Sequence, residues 1–166
     1  VFMDVGIPVP WQPSSWNEVI EVAKTIKETK PEIDIALNIP VGRVWGSWTT
    51  VGSFLPLIWG DGAELYDSSR EKWLIYERAF VHAGQVYRDV FVTYKLSMLD
   101  LNLEPNPYDV MVEMFAKGDL VILLEGQSLW DAEFGPEGRF PIQNRDEIIG
   151  IAAIPGSGNP GAPPFA

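Results

Sequence analysis

The chain has 166 residues, of which 46% are hydrophobic and 21% charged, proportions typical of one globular domain with a substantial core. It carries 23 acidic and 12 basic residues, for a net charge of −11, and its basic residues are scattered singly along the sequence. Binding to a phosphate backbone depends on clustered Lys and Arg, so this composition argues against a nucleic-acid partner.

Residue types that are absent or rare exclude several kinds of site. The chain has no cysteine, which rules out disulfides, thiolate nucleophiles and Cys-based zinc sites. The single histidine, His82, argues against a His-rich metal centre or a Ser-His-Asp triad, and we assign it no role. The longest apolar run, residues 120–124, is much shorter than the ~20 residues needed to cross a bilayer. We therefore expect neither a metal nor a cofactor.

Tryptophan is unusually frequent, with seven in the chain. An indole offers a flat apolar face to a ligand, but its N–H needs a hydrogen-bond partner wherever it is buried. Trp16 and Trp73 lie on apolar stripes of predicted helices, which indicates packing. Trp59 precedes a glycine-rich turn and fits either role.

The first part of the chain predicts a helix and then a strand. Ser15 and Glu18 form a capping box, and apolar residues recur every three or four positions until Pro31 ends the helix after about Lys30. Apolar and polar residues then alternate over residues 33–39, which predicts a strand.

The middle of the chain predicts a loop, two helices and a sharp turn. Residues 41–48 are rich in Gly and Trp and lead into an apolar helix that runs to about Trp59. The glycines at 60 and 62 then force a turn. A helix is predicted over residues 69–83, ended by Gly84, and the pattern over residues 87–107 is ambiguous. The buried stripe expected on that helix consists of Trp73, Tyr76, Phe80 and Ala83.

The last third predicts further helices and strands. Residues 108–116 have the pattern of a helix with Gly118 beyond its end, and residues 120–124 that of a strand covered on both faces. A short helix over 127–134 and a buried strand over 148–154 follow, and the remainder is loop or linker. Helices that alternate with central strands indicate an α/β fold with its ligand at the strand ends.

Candidate ligand-binding residues follow two of the predicted strands. A sugar ring needs an aromatic face beneath it and polar groups around its hydroxyls. We expect Trp45 and Trp130 to stack on the ligand, and Arg43, Glu125 and Asp131 to hydrogen-bond to it. The full set that we expect to bind the ligand is Arg43, Trp45, Trp48, Glu125, Gln127, Ser128, Trp130 and Asp131.

Each of these residues also has a purely structural alternative. Trp45 and Trp48 could instead fill the interior, and Trp130 could pack the short helix against the sheet. A lone arginine such as Arg43 is commonly a solvated surface charge.

Four passages, taken in order, resemble the second lobe of family 1 extracellular solute-binding proteins, the group that includes the maltose-binding protein. They are GIP with PSSWNE within residues 6–18, WGDGAEL at 59–65, MFAKGDLV at 114–121 with the following EG and Trp130, and IAAIPG at 151–156. Their order and spacing match the family over nearly the whole chain. One departure is Ser128, where many members have the tryptophan of a G-x-W passage.

The resemblance implies one lobe of a type II periplasmic-binding-protein fold, with a mixed sheet flanked by helices. In that family the second lobe, here residues 1–166, is inserted between halves of the first, so the first lobe and the signal sequence would lie outside this chain. The resemblance further implies a monomeric, non-enzymatic receptor that captures a sugar in an interlobe cleft for the membrane subunits of an ABC importer. Such a receptor is periplasmic or extracellular, in some cases lipid-anchored through an upstream segment.

Other functions remain open at the level of sequence. Polyamine receptors of related architecture also combine Trp with Asp and Glu, because indole faces and carboxylates both attract ammonium groups. A glycoside hydrolase fragment could use Glu125 and Asp131 as its two carboxylates. A carbohydrate-binding module is a third alternative, but it is usually all-β and would lack the helical stripes described above.

Overall fold

The computed structural model describes residues 1–75 and 78–156, in which α-helices and β-strands are mixed, as the predicted α/β class requires. The helices within these residues are α1 (Trp16–Thr29), α2 (Leu55–Gly60), α3 (Arg78–Arg88), α4 (Leu99–Asn102), α5 (Pro107–Lys117), α6 (Leu129–Ala132) and α7 (Arg145–Ile148). The strands are β1 (Ile35–Asn38), β2 (Tyr66–Asp67), β3 (Lys72–Trp73) and β4 (Leu120–Leu123). Two π-helical turns, Thr49–Phe54 and Asp89–Thr93, and two 3₁₀ turns, Met3–Val5 and Arg43–Trp45, complete the set.

Helix α1 begins at the predicted cap. The Ser15 hydroxyl accepts from the Glu18 amide at 3.2 Å, and the Glu18 carboxylate accepts from the Ser14 amide at 2.8 Å and from the Trp11 indole at 3.1 Å. These hydrogen bonds, chiefly those from Ser14, hold the pKa of Glu18 below its usual value. All five residues of the predicted apolar face are buried, and they are Trp16, Val19, Ile20, Ala23 and Ile26.

Strands β1 and β4 form a parallel pair in which Ile35 is opposite Leu120 and Leu37 is opposite Ile122. Strand β1 lies within the predicted strand over residues 33–39, and all four of its residues are buried. The reason is that core covers both of its faces: Ala36 packs in a cluster with α1, and Ile35 packs in another with Met111 of α5. On β4, Leu120 is buried, whereas the next three residues are only half-buried, less than predicted.

The predicted helix over residues 69–83 is wrong in its first half. Strands β2 and β3 form an antiparallel hairpin there, separate from the parallel pair, so the described residues do not form the expected single mixed sheet. The Asp67 carboxylate accepts from the amides of Ser69 and Arg70, a local turn that competes with helix formation. Trp73 is consequently 64% exposed and lies outside the core, with its ring edge-on to that of Tyr66 at 5.2 Å.

Helix α3 starts at Arg78 and keeps part of the predicted stripe, since Ala83 is buried and Phe80 packs on the core. The predicted stripe residue Tyr76 lies outside the described residues. Gly84 does not end the helix, which continues to Arg88 and then into a π-helical turn. That turn and the Leu96 that follows it close the other edge of β1, because the Leu96 carbonyl accepts from the amides of Ala36 and Leu37 at 3.0 and 3.2 Å.

The predicted strand over residues 148–154 is also wrong. Ile148 ends α7 and is 67% exposed, Ile151 is 62% exposed, and only Ile154 makes an isolated bridge. Both edges of β1 are occupied, one by β4 and the other by the segment at Leu96, so β1 offers no edge to these residues. They form no strand on the second edge of β4 either, where the described residues place no strand.

The other predictions for this region hold. Helix α5 matches the predicted helix over 108–116 and ends at Gly118, whose φ of 86° suits glycine. Helix α6 falls within the predicted 127–134. Of the predicted terminal loop, residues 157–166 lie outside the described part of the chain. No helix in that described part is both long and apolar enough to span a membrane.

Candidate functional site

The parallel pair brings two loops to the same edge of the sheet. The Leu124 amide donates to the Asn38 carbonyl at 3.0 Å, so the chain leaves β1 and β4 side by side. In parallel sheets the carboxyl ends of the strands are where ligands commonly bind. The sequence predicted this convergence, and the structure has it.

Hydrogen bonds to backbone carbonyls hold the first loop in place. The Ser53 hydroxyl lies 2.7 Å from the Tyr87 hydroxyl and 2.7 Å from the Thr49 carbonyl oxygen, and the Tyr87 hydroxyl lies 3.1 Å from the Pro40 carbonyl oxygen. Burial raises the pKa of Tyr87, so its phenol stays neutral and can donate. The Thr49 hydroxyl donates to the Gly42 carbonyl at 2.8 Å. The loop is therefore a fixed support for the side chains that it carries.

Trp48 and Glu125 join the two loops. The indole N–H of Trp48 donates to Oε2 of Glu125, 77 residues away in sequence, and both side chains are half-buried. Burial raises the pKa of Glu125 to about 7, against the opposing effect of hydrogen bonds from Trp48 and the Gly126 amide. Within residues 1–75 and 78–156, no Lys or Arg forms an ion pair with this carboxyl group.

Gly126 and Ser128 lie beside this pair. A Cβ atom added at Gly126 would be 3.6 Å from the Ser128 hydroxyl and 3.7 Å from Cη2 of Trp48. Ser128 itself is exposed, as is Gln127. We call the group of Trp48, Glu125, Gly126 and Ser128 the Trp48–Glu125 site.

Trp45 does not present a face to this site. It is only 9% exposed, packs with Ile35, Met111 and Leu120, and meets the ring of Tyr108 edge-on at 6.4 Å. Its indole N–H is buried without a hydrogen-bond partner among the described residues. The 3₁₀ turn Arg43–Trp45 directs the Trp45 side chain into the core, which is the structural alternative given for it from sequence.

Trp130 and Asp131 both contact Arg145, which was not among the predicted site residues. The guanidinium of Arg145 lies 4.9 Å from the centre of the Trp130 ring, donates to the Trp130 carbonyl and donates to Oδ1 of Asp131 at 3.0 Å. The Asp131 side chain is otherwise 85% exposed. No hydrogen bond, ion pair or ring contact joins these two residues to Trp48 or Glu125 in the part of the chain that the structure describes. The contact between Asp131 and an arginine 14 positions later in the chain leaves no pattern by which it could be predicted from sequence.

Arg43 is exposed, and its side chain makes no hydrogen bond or ion pair with any described residue. It stands at the start of the same loop as Trp48, on the 3₁₀ turn. Its placement fits either of the two interpretations given from sequence, a polar contact for a ligand or a solvated charge.

A charged network that sequence reasoning missed supports the site from α5. Arg139 donates to both oxygens of the buried Glu133 at 2.8 Å and to Asp109 at 2.6 Å, and the Tyr108 hydroxyl donates to Glu133 at 2.9 Å. The hydrogen bond from Arg139 holds the pKa of Glu133 below its usual value. Burial, reinforced by the negative charge of Glu133, raises the pKa of Tyr108 to about 12. Since Tyr108 packs on Trp45, the network ties the segment after α6 to the core beneath the site.

The Trp48–Glu125 site reaches the surface, since Trp48 and Glu125 are half-buried and Ser128 is exposed. Two concavities lie elsewhere, one of about 280 Å³ beside Asp61 and Arg78 and one of about 220 Å³ between Lys24 and Tyr94. An aromatic ring beside a half-buried carboxyl can bind a small polar molecule. Two-carboxylate hydrolysis would need Asp131 to act with Glu125, but the Asp131 carboxylate is paired with Arg145.

No known protein family matches the chain, and no curated protein is significantly similar to it in sequence.

Proposed function

We propose that this chain is one lobe of an extracytoplasmic solute-binding protein of the type II periplasmic fold and that it contacts a sugar through Trp48 and Glu125. The observation that carries the proposal is the hydrogen bond between these two side chains, which sets an aromatic ring and an acceptor group side by side at the ends of two parallel strands. The four sequence motifs that resemble the family support the same conclusion.

A sugar suits this pair of side chains. The apolar C–H face of a pyranose can lie on the exposed part of the Trp48 ring, while its hydroxyls hydrogen-bond to Glu125 and the nearby Ser128. With a pKa of about 7, Glu125 is protonated in a large fraction of molecules near neutral pH. A protonated carboxyl both donates and accepts, as a hydroxyl group does.

The exposure of Gln127 and Ser128 beside Glu125 agrees with a wall that needs a second lobe opposite. In this proposal the ligand binds one lobe, a hinge closes the other over it, and the closed monomer docks on the membrane subunits of an ABC importer. The ligand is released unchanged. This chain alone should bind weakly, because half of the hydrogen bonds to the ligand are missing.

A polyamine is the second candidate ligand. It is favoured by a net charge of −11 and by a Glu125 carboxyl that has no ion-pair partner among the described residues. An ammonium group would favour the ionised carboxylate, so spermidine affinity should rise with pH through about 7. Sugar affinity should not rise over this range.

The test is a nuclear magnetic resonance titration of the ¹⁵N-labelled chain with glucose, maltose and spermidine, which detects millimolar binding at indole N–H groups. We expect a saccharide to shift the Trp48 signal, and Trp48→Ala and Glu125→Ala to abolish or weaken binding by about tenfold or more. Trp73→Ala is the matched control, because that indole is exposed on the hairpin away from the site. If all three variants bind equally, or if the saccharide is hydrolysed during the titration, the proposal is wrong.

A further inference from the structure

The indole of Trp48 lies flat against Gly52, one helical turn later in the chain. A Cβ atom added to Gly52 would stand 2.4 Å from Cε2, 2.5 Å from Cδ2 and 2.9 Å from Cζ2 of Trp48. These three atoms belong to the fused part of the indole, so the contact is with the face of the ring. Carbon atoms in van der Waals contact prefer about 3.5 to 4.0 Å, and an alanine here would therefore displace the ring by about 1 Å or more.

The backbone does not explain a glycine at this position. Gly52 lies within the π-helical turn Thr49–Phe54, and its φ is outside the left-handed region that favours glycine. In a helical interior glycine is less favourable than alanine, so it carries a cost in stability. Space for the indole is the physical reason that the structure offers for its presence.

A second contact fixes the ring from another direction. The N–H of Trp48 is bonded to Glu125, and the far edge of the indole lies beside Gly126. If the ring moved away from position 52 by about 1 Å, the hydrogen bond to Glu125 would stretch or bend beyond good geometry. Because Gly52 has no Cβ atom, the Trp48 ring can stay where its N–H forms the hydrogen bond to Glu125.

We propose that Gly52 is the positioning residue of the ligand site, which seats the Trp48 indole so that only one of its faces is left for a ligand. The inference rests on the proposed function, and it narrows the binding mode: a single sugar ring stacks on one side of Trp48 and is not sandwiched. Gly52 itself does not touch the ligand.

The experiment compares Gly52→Ala with Gly84→Ala in the ¹⁵N-labelled 166-residue chain. Gly84 is the matched control because it also lies within a helix, and a Cβ there would meet nothing within 4 Å. The Trp48 indole signal is identified by its loss in Trp48→Phe. We expect Gly52→Ala to move this signal toward its position in Glu125→Ala, where the acceptor is removed, and to weaken maltose binding about tenfold. Gly84→Ala should change neither.

A double variant covers the case in which Gly52→Ala folds poorly. If the clash with the indole is the cause, adding Trp48→Leu should remove most of the loss in Tm that Gly52→Ala produces, expected to be several degrees. The inference would be overturned if Gly52→Ala lowered Tm equally with and without Trp48→Leu, or if it left the Trp48 signal unmoved.

The two proposals fail in different ways. If no saccharide shifts the Trp48 signal of the wild-type chain, the proposed function is wrong, whatever effect Gly52→Ala has on that signal. If maltose shifts the wild-type Trp48 signal and Gly52→Ala binds as tightly, the function stands and the positioning role of Gly52 is overturned.

Discussion

The side-chain amide of Asn102 donates to Oδ1 of Asn38 at 2.8 Å, and both residues are fully buried. The Ser97 hydroxyl donates to the same oxygen at 2.7 Å. Asn38 is the last residue of β1, so this network ties Ser97 and the end of α4 to the strand end from which the first loop departs. A polar residue at the end of a buried strand thus organises a region whose sequence pattern is ambiguous.

Asn38→Ala should lower the free energy of unfolding by about 2 to 4 kcal/mol, because two buried donors lose their acceptor and a small void remains. Urea unfolding of the variant and the wild type measures this difference. Asn17→Ala, on the exposed side of α1, is the control and should change stability by less than about 1 kcal/mol. Equal effects of the two substitutions would contradict the role given to the network.

Glu125→Gln should alter how stability depends on pH. The pKa of Glu125 rises from its ordinary 4.5 to about 7 in the fold, so the folded chain holds this proton more tightly than the unfolded chain. Its contribution is complete below pH 4.5 and is lost as the pH rises to about 7, at a cost of up to about 3 kcal/mol. Glutamine stays neutral and avoids this loss.

Urea unfolding at about pH 4.5 and about pH 8 tests this expectation. Relative to the wild type, Glu125→Gln should gain stability at the higher pH, whereas Glu104→Gln on an exposed turn should show no such gain. The free energies of unfolding of Glu125→Gln and the wild type could instead differ by the same amount at both pH values. That result would contradict the desolvation of the Glu125 carboxyl group in the fold.

Glu133→Gln should have the opposite dependence. Arg139 holds the pKa of Glu133 below its usual value, so this carboxylate stabilises the fold above its unfolded pKa and the contribution is lost as the pH falls. At neutral pH we expect a loss of about 2 to 4 kcal/mol, since Arg139 and Tyr108 lose a buried charged partner. The loss should shrink below about pH 4.

The control for Glu133 is Glu113→Gln, which breaks an exposed pair with Lys117 at 2.6 Å. Pairs of this kind contribute about 0.5 kcal/mol or less, so chemical denaturation should barely distinguish this variant from the wild type. If Glu133→Gln and Glu113→Gln lower the free energy of unfolding equally at neutral pH, then burial of the network does not explain the effect of Glu133.

Arg145→Ala should uncover Trp130. The guanidinium covers that ring and donates to the Trp130 carbonyl, so its removal should increase quenching of tryptophan fluorescence by acrylamide. We expect a stability loss of about 1 kcal/mol from the cation–π contact and hydrogen bonds. In a Trp130→Phe background the same substitution should leave quenching unchanged, and a persistent increase there would assign the effect to another indole.

The meeting of the two loops was predicted, and Trp48, Glu125 and Ser128 were among the residues expected there, but the contacts of the two tryptophans given the stacking role were not predicted. Loops at the ends of the strands near residues 39 and 124 were expected to meet, and Glu125 lies where they do. Of the two tryptophans given the stacking role, Trp45 is buried and Trp130 is covered by Arg145, while Trp48 takes the position beside Glu125. Sequence spacing within a loop does not say which of two nearby side chains turns inward, because that depends on the 3₁₀ turn and on what fills the core below it.

What the sequence by itself determined are the elements whose cause is local. The capping box and apolar face of α1, the end of α5 at Gly118 and the apolar run of β4 follow from hydrogen bonds and periodicity within a few residues. Tertiary structure decided which apolar segments became strands and which aromatic rings stayed at the surface. Residues 148–154 form no strand beside β1 or β4, and Trp48 is held by Gly52 and by Glu125, 77 positions away. Such outcomes depend on contacts between distant segments, which periodicity in one segment does not encode.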